Sequence, residues 1–285
     1  MTTTNTPKTI VLVHGLWMTP KSWDTWAGRF RAAGHTVVAP GWPGIDDREV
    51  ADIRRNPEAL KGIGLKQIAD NYERIIRALP GFPEQKPIIM GHSFGGVLTQ
   101  MLADRGLGSA YVGVAPGQPA GVTTLPLSTL RSGGPVLTNP FRKNDATPIS
   151  KSHFHYTFGN DLAREASDAI WEQQAVPSYN RVFFEGALAA LNEKGGVSHV
   201  DFGRTDRATL LLIAGEIDHV VPPALVKAID RKYAKAAAKS GSKSVVDYKE
   251  YPGRTHRLVS QDGWEEIADF ALAWAVAHAE VNAAA

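Results

Sequence analysis

Residues 87–97 read PIIMGHSFGGV. The apolar run Ile88-Ile89-Met90 enters Gly91-His92-Ser93-Phe94-Gly95-Gly96, and GGVLTQMLADRG follows with helical spacing, closing at Gly106. A serine flanked by glycines two residues away on both sides, between a strand and a helix, marks a sharp turn that lifts the middle side chain clear of the sheet. The backbone of such a turn is strained, so its flanks must be small. Gly91 and Gly95 meet that need, and Gly96 lets the helix approach closely. Ser93 then stands at a helix N-terminus, where the dipole and free N–H groups favour negative charge developing nearby.

Working outward, the same strand-to-helix grammar recurs. TIVLV, at Thr9–Val13, is a β-rich run ending at His14-Gly15. Residues 23–33 have helical spacing and stop at Gly34. HTVVAP is a second strand. Residues 65–79 place Ile68, Tyr72, Ile75, Ile76 and Leu79 on one helical face. AYVGVA and ATLLLIAG are further strands, VDYKEYP an alternating one, and residues 264–278 a last helix, with VNAAA at 281–285 read as frayed. The runs before Gly15, Gly91, Ala115 and Gly215 are nearly all apolar, which suits strands covered on both faces by helices. The expected fold class is therefore α/β, a doubly wound, mostly parallel sheet.

Between 117 and 207 the alternation fails. PGQPAGVTTLPLSTLRSGGP is rich in Gly, Pro, Ser and Thr, and is followed by two helix-like stretches, LAREASDAIWEQQAV and RVFFEGALAALNEKG. The chain thus divides into a first core part (1–116), a mainly helical cap insertion (117–207) and a second core part (208–285).

Composition narrows the function classes. The chain has 285 residues, a net charge of +2 and no cysteine. Disulfides, thiol nucleophiles and cysteine-held metals are excluded. The weak, scattered charge argues against nucleic acid, and the basic KYAKAAAKSGSK reads as a solvated helix end. MTTTNTPKTI lacks a basic region leading into an apolar core, and no apolar run reaches the ~18 residues of a membrane span. A soluble, cytoplasmic protein without a membrane partner is expected.

A serine hydroxyl is a weak nucleophile and needs a base. Downstream of Ser93 lie His153, His155, His199, His219, His256 and His278. His153 and His155 are a pair without a third ligand nearby, so no metal is expected. VHGLW at 13–17, GHSFGG at 91–96, GEIDHVVP at 215–222 and GRTHRL at 253–258 together resemble the α/β-hydrolase superfamily, over nearly the whole chain. The resemblance extends to small bacterial esterases and cofactor-free haloperoxidase-like hydrolases. Members with an aspartate nucleophile are disfavoured because position 93 is serine.

The resemblance implies the chain order nucleophile, acid, histidine. His256 follows the last strand in a loop, and Asp218 lies just past the strand that ends at Gly215, whereas the earlier loop YVGVAPGQPAG carries no acid. Ser93, Asp218 and His256 are the expected catalytic residues, with Asp218 preferred to Glu216. The oxyanion donors would be the N–H groups of Phe94 and Leu16. Trp17, Met18, Trp171 and Phe184 are expected to line the substrate pocket, in a chain whose insertion is rich in aromatics. The expected activity is hydrolysis of a small carboxylic ester or lactone, apolar or aromatic, without metal or organic cofactor. Perhydrolysis, amide or C–C bond hydrolysis, and ligand reception without catalysis, share the same fold and stay open.

Overall fold

Four of the strands that build the main sheet are continuous Val/Ile/Leu-rich runs, and each is buried along nearly its whole length. The computed structural model describes residues 7–45 and 48–284, the last five through their backbone alone. Residues 1–6, part of the N-terminal stretch read above for a leader, residues 46–47 and Ala285 lie outside the described residues. In chain order the strands are β1 (Thr9–Val13), β2 (Thr36–Val38), β3 (Ile88–His92), β4 (Ala110–Val114), the short β5 (Ala146–Thr147) and β6 (Ser178–Tyr179), β7 (Leu210–Gly215) and β8 (Val246–Tyr251). Six of them form one parallel sheet in the order β2-β1-β3-β4-β7-β8, while β5 and β6 pair antiparallel on their own.

The helices are α1 (Asp24–Ala32), α2 (Val50–Arg55), α3 (Leu65–Arg77), α4 (Phe94–Asp104), α5 (Leu127–Leu137), α6 (Lys151–Thr157), α7 (Arg164–Gln174), α8 (Asn180–Ala189), α9 (Pro223–Ser240) and α10 (Trp264–Ala284). Both α4 and α10 pack on β3 and β4, so they cover opposite faces. α1 joins α10; α3 joins α4, as does α9, whose Tyr233 hydroxyl donates to Gln100 on α4. α3 shows why the spacing of its apolar residues mattered: Ile68, Tyr72 and Ile76 are fully buried while Lys66, Asp70 and Arg74 carry charges on its outer side.

The strand order fixes where a site can form. After β1 the chain moves outward to β2, then returns to β3 on the other side of β1. Connections diverge at the carboxyl ends of β1 and β3, and a crevice opens there. Val13 of β1 pairs in register with Gly91 of β3, so the residues just beyond each strand meet.

The insertion between β4 and β7 holds four helices, α5 to α8, where periodicity predicts two. α5 arises in the Gly- and Pro-rich stretch and contains Pro135, because burial of Ser132, Gly133 and Val136 overrides weak local propensity. α6 starts where Ser150 accepts the His153 N–H as a cap. α8 ends at Ala189, short of the predicted 195, as the chain turns through Asn192 and Gly196. α10 runs through Ala284, across residues 281–284 read as frayed. The insertion is tied to the core by Arg54, which donates to the carbonyls of Trp171 and Ala175, and by Glu185, which accepts the Leu65 N–H at the start of α3.

Candidate active site

Ser93 sits between β3 and α4 with φ 57° and ψ −122°, a conformation that non-glycine residues rarely hold. The surrounding structure over-determines it. A side chain at Gly95 would collide with the Val13 carbonyl, and the Ser93 carbonyl accepts the N–H groups of Gly96 and Gly117. Gly15 packs directly on the serine: a Cβ there would lie 2.8 Å from Ser93 Cβ. The close approach brings the Leu16 backbone beside the elbow. Neither the Leu16 nor the Phe94 N–H donates a hydrogen bond to another described group.

Asp218 and His256 come from the ends of β7 and β8. Asp218 Oδ2 lies 2.7 Å from His256 Nδ1, and both side chains are fully buried. Asp218 Oδ1 accepts the N–H groups of Val220 and Val221 at 2.7 and 2.8 Å, which fixes the carboxylate plane. The Nδ1 proton therefore points at Asp218, leaving Nε2 with its lone pair, buried and without a partner among the described residues. Ser93 Oγ forms no hydrogen bond there either. Glu216 is exposed and accepts the Gly253 N–H at 2.9 Å; it serves the turn before His256 and does not touch the imidazole.

Two further histidines shape the site. His14 Nδ1 donates to the Gly15 carbonyl at 2.9 Å and its Nε2 accepts the Trp42 N–H at 3.1 Å, so its neutral form is fully used. Burial pushes its pKa down to about 4. It thereby holds the loop that presents Leu16. His92 Nε2 donates to the His256 carbonyl at 2.8 Å, and the two rings lie 4.6 Å apart. Burial first, and the neighbouring His256 second, hold its pKa well below the ordinary value. Both lie upstream of Ser93 at the ends of buried strands. That position is the signal they offer, since histidine type and spacing alone do not separate them from surface histidines.

A cavity of about 680 Å³, counted to its open mouth, runs from Ser93 between α5 and α8. Its walls differ from the sequence expectation. Phe183 lines it and Phe184 does not, because neighbouring helical residues point about 100° apart. Trp171 is away from it: its Nε1 donates to the Ile149 carbonyl at 2.8 Å and its ring lies under Arg54, 4.1 Å from the guanidinium carbon. Trp17 packs behind Phe183, ring centroids 4.8 Å apart. Met18 faces a separate space of about 260 Å³ beside His92 and Arg257. Helical periodicity shows which residues face inward, but not which inward face meets a cavity and which meets a neighbouring element.

A strained serine elbow thus lies at a topological switch point, with a buried Asp–His pair beyond the ends of later strands. Residues 10–270 match the model of the alpha/beta hydrolase family, and the chain belongs to that family. It is 29% identical over 97 residues to the AB hydrolase superfamily protein YfhM of Bacillus subtilis (strain 168), a match spanning 33% of this chain and 30% of that protein. Solved structures share the fold. The monoacylglycerol lipase of Paleococcus ferrophilus superposes with a TM-score of 0.62 at 19% identity, covering 96% of each chain. An extracellular alpha/beta-hydrolase from a Paenibacillus species gives 0.63 at 19%, over 93% of this chain and 98% of that one. A thermophilic esterase from Thermogutta terrifontis gives 0.65 at 14%, over 95% and 90%. Among the described residues no helix is long and apolar enough to cross a membrane.

Proposed function

We propose that the protein is a serine hydrolase of uncharged carboxylic esters or lactones. The observation that carries the reading is the buried Asp218–His256 pair, whose free Nε2 belongs to a ring packed on His92, next to the strained Ser93. Ser93 Oγ attacks the carbonyl carbon as His256 Nε2 takes its proton, and Asp218 stabilises the imidazolium. The free N–H groups of Leu16 and Phe94 receive the oxyanion. His256 returns the proton to the leaving alcohol, and an acyl group stays on Ser93. Water then attacks with His256 as base, restoring the serine. The fold-level neighbours that bear the names lipase and esterase support an ester as substrate. The cavity beside Ser93, walled by Leu130, Leu137, Phe183 and Val221, supports an apolar or aromatic group on it.

A fluorophosphonate probe followed by peptide mass mapping tests the nucleophile, and p-nitrophenyl esters of graded chain length test turnover. The adduct is expected on Ser93 with turnover of the esters. An adduct elsewhere overturns the mechanism, and labelling of Ser93 without turnover of any ester, lactone or amide leaves a ligand receptor.

A further inference from the structure

The loops that carry Asp218 and His256 leave neighbouring strands and then part. The Glu216 N–H donates to the Tyr251 carbonyl and the Ile217 N–H to the Arg254 carbonyl, both at 3.0 Å, so the β7–β8 pairing extends slightly past the strand ends. Beyond that point, among the described residues, the Asp218–His256 contact is the only hydrogen bond joining residues 218–222 to residues 255–263. One bond between two loops leaves each its own backbone freedom, and ordering that freedom costs free energy. The insertion supplies the missing restraint.

Residues 156–161, at the end of α6 and in the loop before α7, reach both sides of the pair. On the acid side, the Tyr156 carbonyl accepts the His219 Nδ1–H at 2.8 Å, with the two rings stacked at 4.6 Å. The Asn160 side-chain amide donates to the Ile217 carbonyl at 2.9 Å. Ile217 and His219 are the two chain neighbours of Asp218. On the other side stands Arg257, the residue after His256. Its Nε donates to the Phe158 carbonyl at 3.0 Å, and its Nη2 to the Asp161 carboxylate oxygens at 3.2 and 3.1 Å. The Arg257 side chain is 7% exposed, and Asp161 is its only carboxylate partner among the described residues. The Phe158 ring itself lies 5.2 Å from the His256 ring.

The geometry points to residues 156–161 as a clasp that positions the Asp218–His256 pair for the proposed serine hydrolase reaction, with Arg257 and Asp161 as its positioning residues on the histidine side. A buried guanidinium that loses its counter-charge is costly. Removal of Asp161 therefore drives Arg257 towards water, and the backbone of His256, one residue away, moves with it. His92 also bonds the His256 carbonyl, but that contact fixes one backbone atom and leaves the ring free to pivot. Proton transfer from Ser93 depends on where His256 Nε2 sits, and a misplacement of about 1 Å costs on the order of a hundredfold in rate.

The test compares Asp161→Ala, Asp161→Glu and Arg257→Gln with Arg54→Ala in the full-length protein, well below each Tm. Arg54→Ala cuts a different tie between insertion and core, the one to the Trp171 and Ala175 carbonyls. Asp161→Ala should lower kcat for a p-nitrophenyl ester, and the rate of Ser93 labelling by a fluorophosphonate, by roughly ten- to a hundredfold with KM little changed. Asp161→Glu should restore most of the loss. Arg54→Ala should lower Tm and leave kcat unchanged. The double variant Asp161→Ala with Arg257→Gln should be no slower than the slower single one, since both break one contact. In proton NMR, the low-field resonance of His256 Nδ1–H should shift or broaden in Asp161→Ala and not in Arg54→Ala. Unchanged kcat and resonance in Asp161→Ala overturn the inference. An equal kcat loss in Arg54→Ala overturns it too, because the insertion would then act only through stability. If Arg257→Gln does not fold, the two Asp161 variants decide. If the unsubstituted protein neither labels nor turns over any ester, the hydrolase reading fails, and the resonance alone decides whether the clasp holds the pair.

Discussion

Replacing Asp218 by asparagine should disable the base without disturbing the fold, and the structure says why. Asp218 Oδ1 accepts two N–H groups, from Val220 at 2.7 Å and Val221 at 2.8 Å. An asparagine in the same place must turn its carbonyl oxygen towards those two donors, since its NH₂ group cannot accept them. That choice aims the NH₂ at His256 Nδ1, where Asp218 Oδ2 now sits at 2.7 Å. Nδ1 must then accept, so the ring proton moves to Nε2. Nε2 is the atom proposed to take the proton from Ser93, and in this tautomer it cannot. The loss is expected at about 10⁴ in kcat, the magnitude seen when a triad aspartate elsewhere becomes asparagine, or about 5 kcal/mol of transition-state stabilisation. Glu216→Gln is the matched control. Its amide oxygen can still accept the Gly253 N–H, which Glu216 now binds at 2.9 Å, and it should cost less than roughly tenfold. The assay is kcat for a p-nitrophenyl ester at one pH, with circular dichroism to verify folding. The rate of Ser93 labelling by a fluorophosphonate gives a readout independent of the ester. Asp218→Asn within tenfold of the unsubstituted protein, or Glu216→Gln as the crippled variant, would refute this assignment.

Other expectations follow from the same geometry. Ser93→Ala should lower kcat by on the order of a millionfold and abolish probe labelling, as read by kinetics and intact-mass measurement. His14, held neutral with a pKa of about 4 against 6.5 for an ordinary histidine, binds a proton more readily unfolded than folded. Its contribution to stability is thus present above pH 6.5 and is lost as pH falls towards 4, by about 3 kcal/mol in all. Urea denaturation at pH 7 and pH 4.5 should show a smaller pH dependence in His14→Gln than in the unsubstituted protein. Phe183→Leu should change the kcat/KM ratio between long and short p-nitrophenyl esters several-fold, because Phe183 walls the cavity. Trp171→Ala should lower Tm by several degrees with that ratio unchanged, because Trp171 binds Ile149 and Arg54 outside the cavity.

The sequence alone determined the parts governed by local rules. Continuous apolar runs ending before Gly15, Gly91, Ala115 and Gly215 marked β1, β3, β4 and β7 as buried parallel strands, since only strands covered on both faces lack a polar side. The turn at Ser93 was legible because a strained elbow admits only small neighbours, and that demand appears in the chain as Gly91, Gly95 and Gly96. The loops after β7 and β8 were legible as strand ends, and with them Asp218 and His256 as neighbours to consider. Tertiary structure decided everything that depends on which surfaces meet. The 2.7 Å separation of Asp218 and His256 comes from pairing β7 beside β8, which no local pattern encodes. Burial turned His14 and His92 from ordinary histidines into neutral struts for the Leu16 loop and the His256 backbone. In the insertion, packing made a helix of a Pro- and Gly-rich stretch, turned Phe183 rather than Phe184 to the cavity, and set Trp171 against Arg54. A helix displays one face in its sequence, but the partner that face finds is chosen by elements far away in the chain, and so are the walls of the pocket.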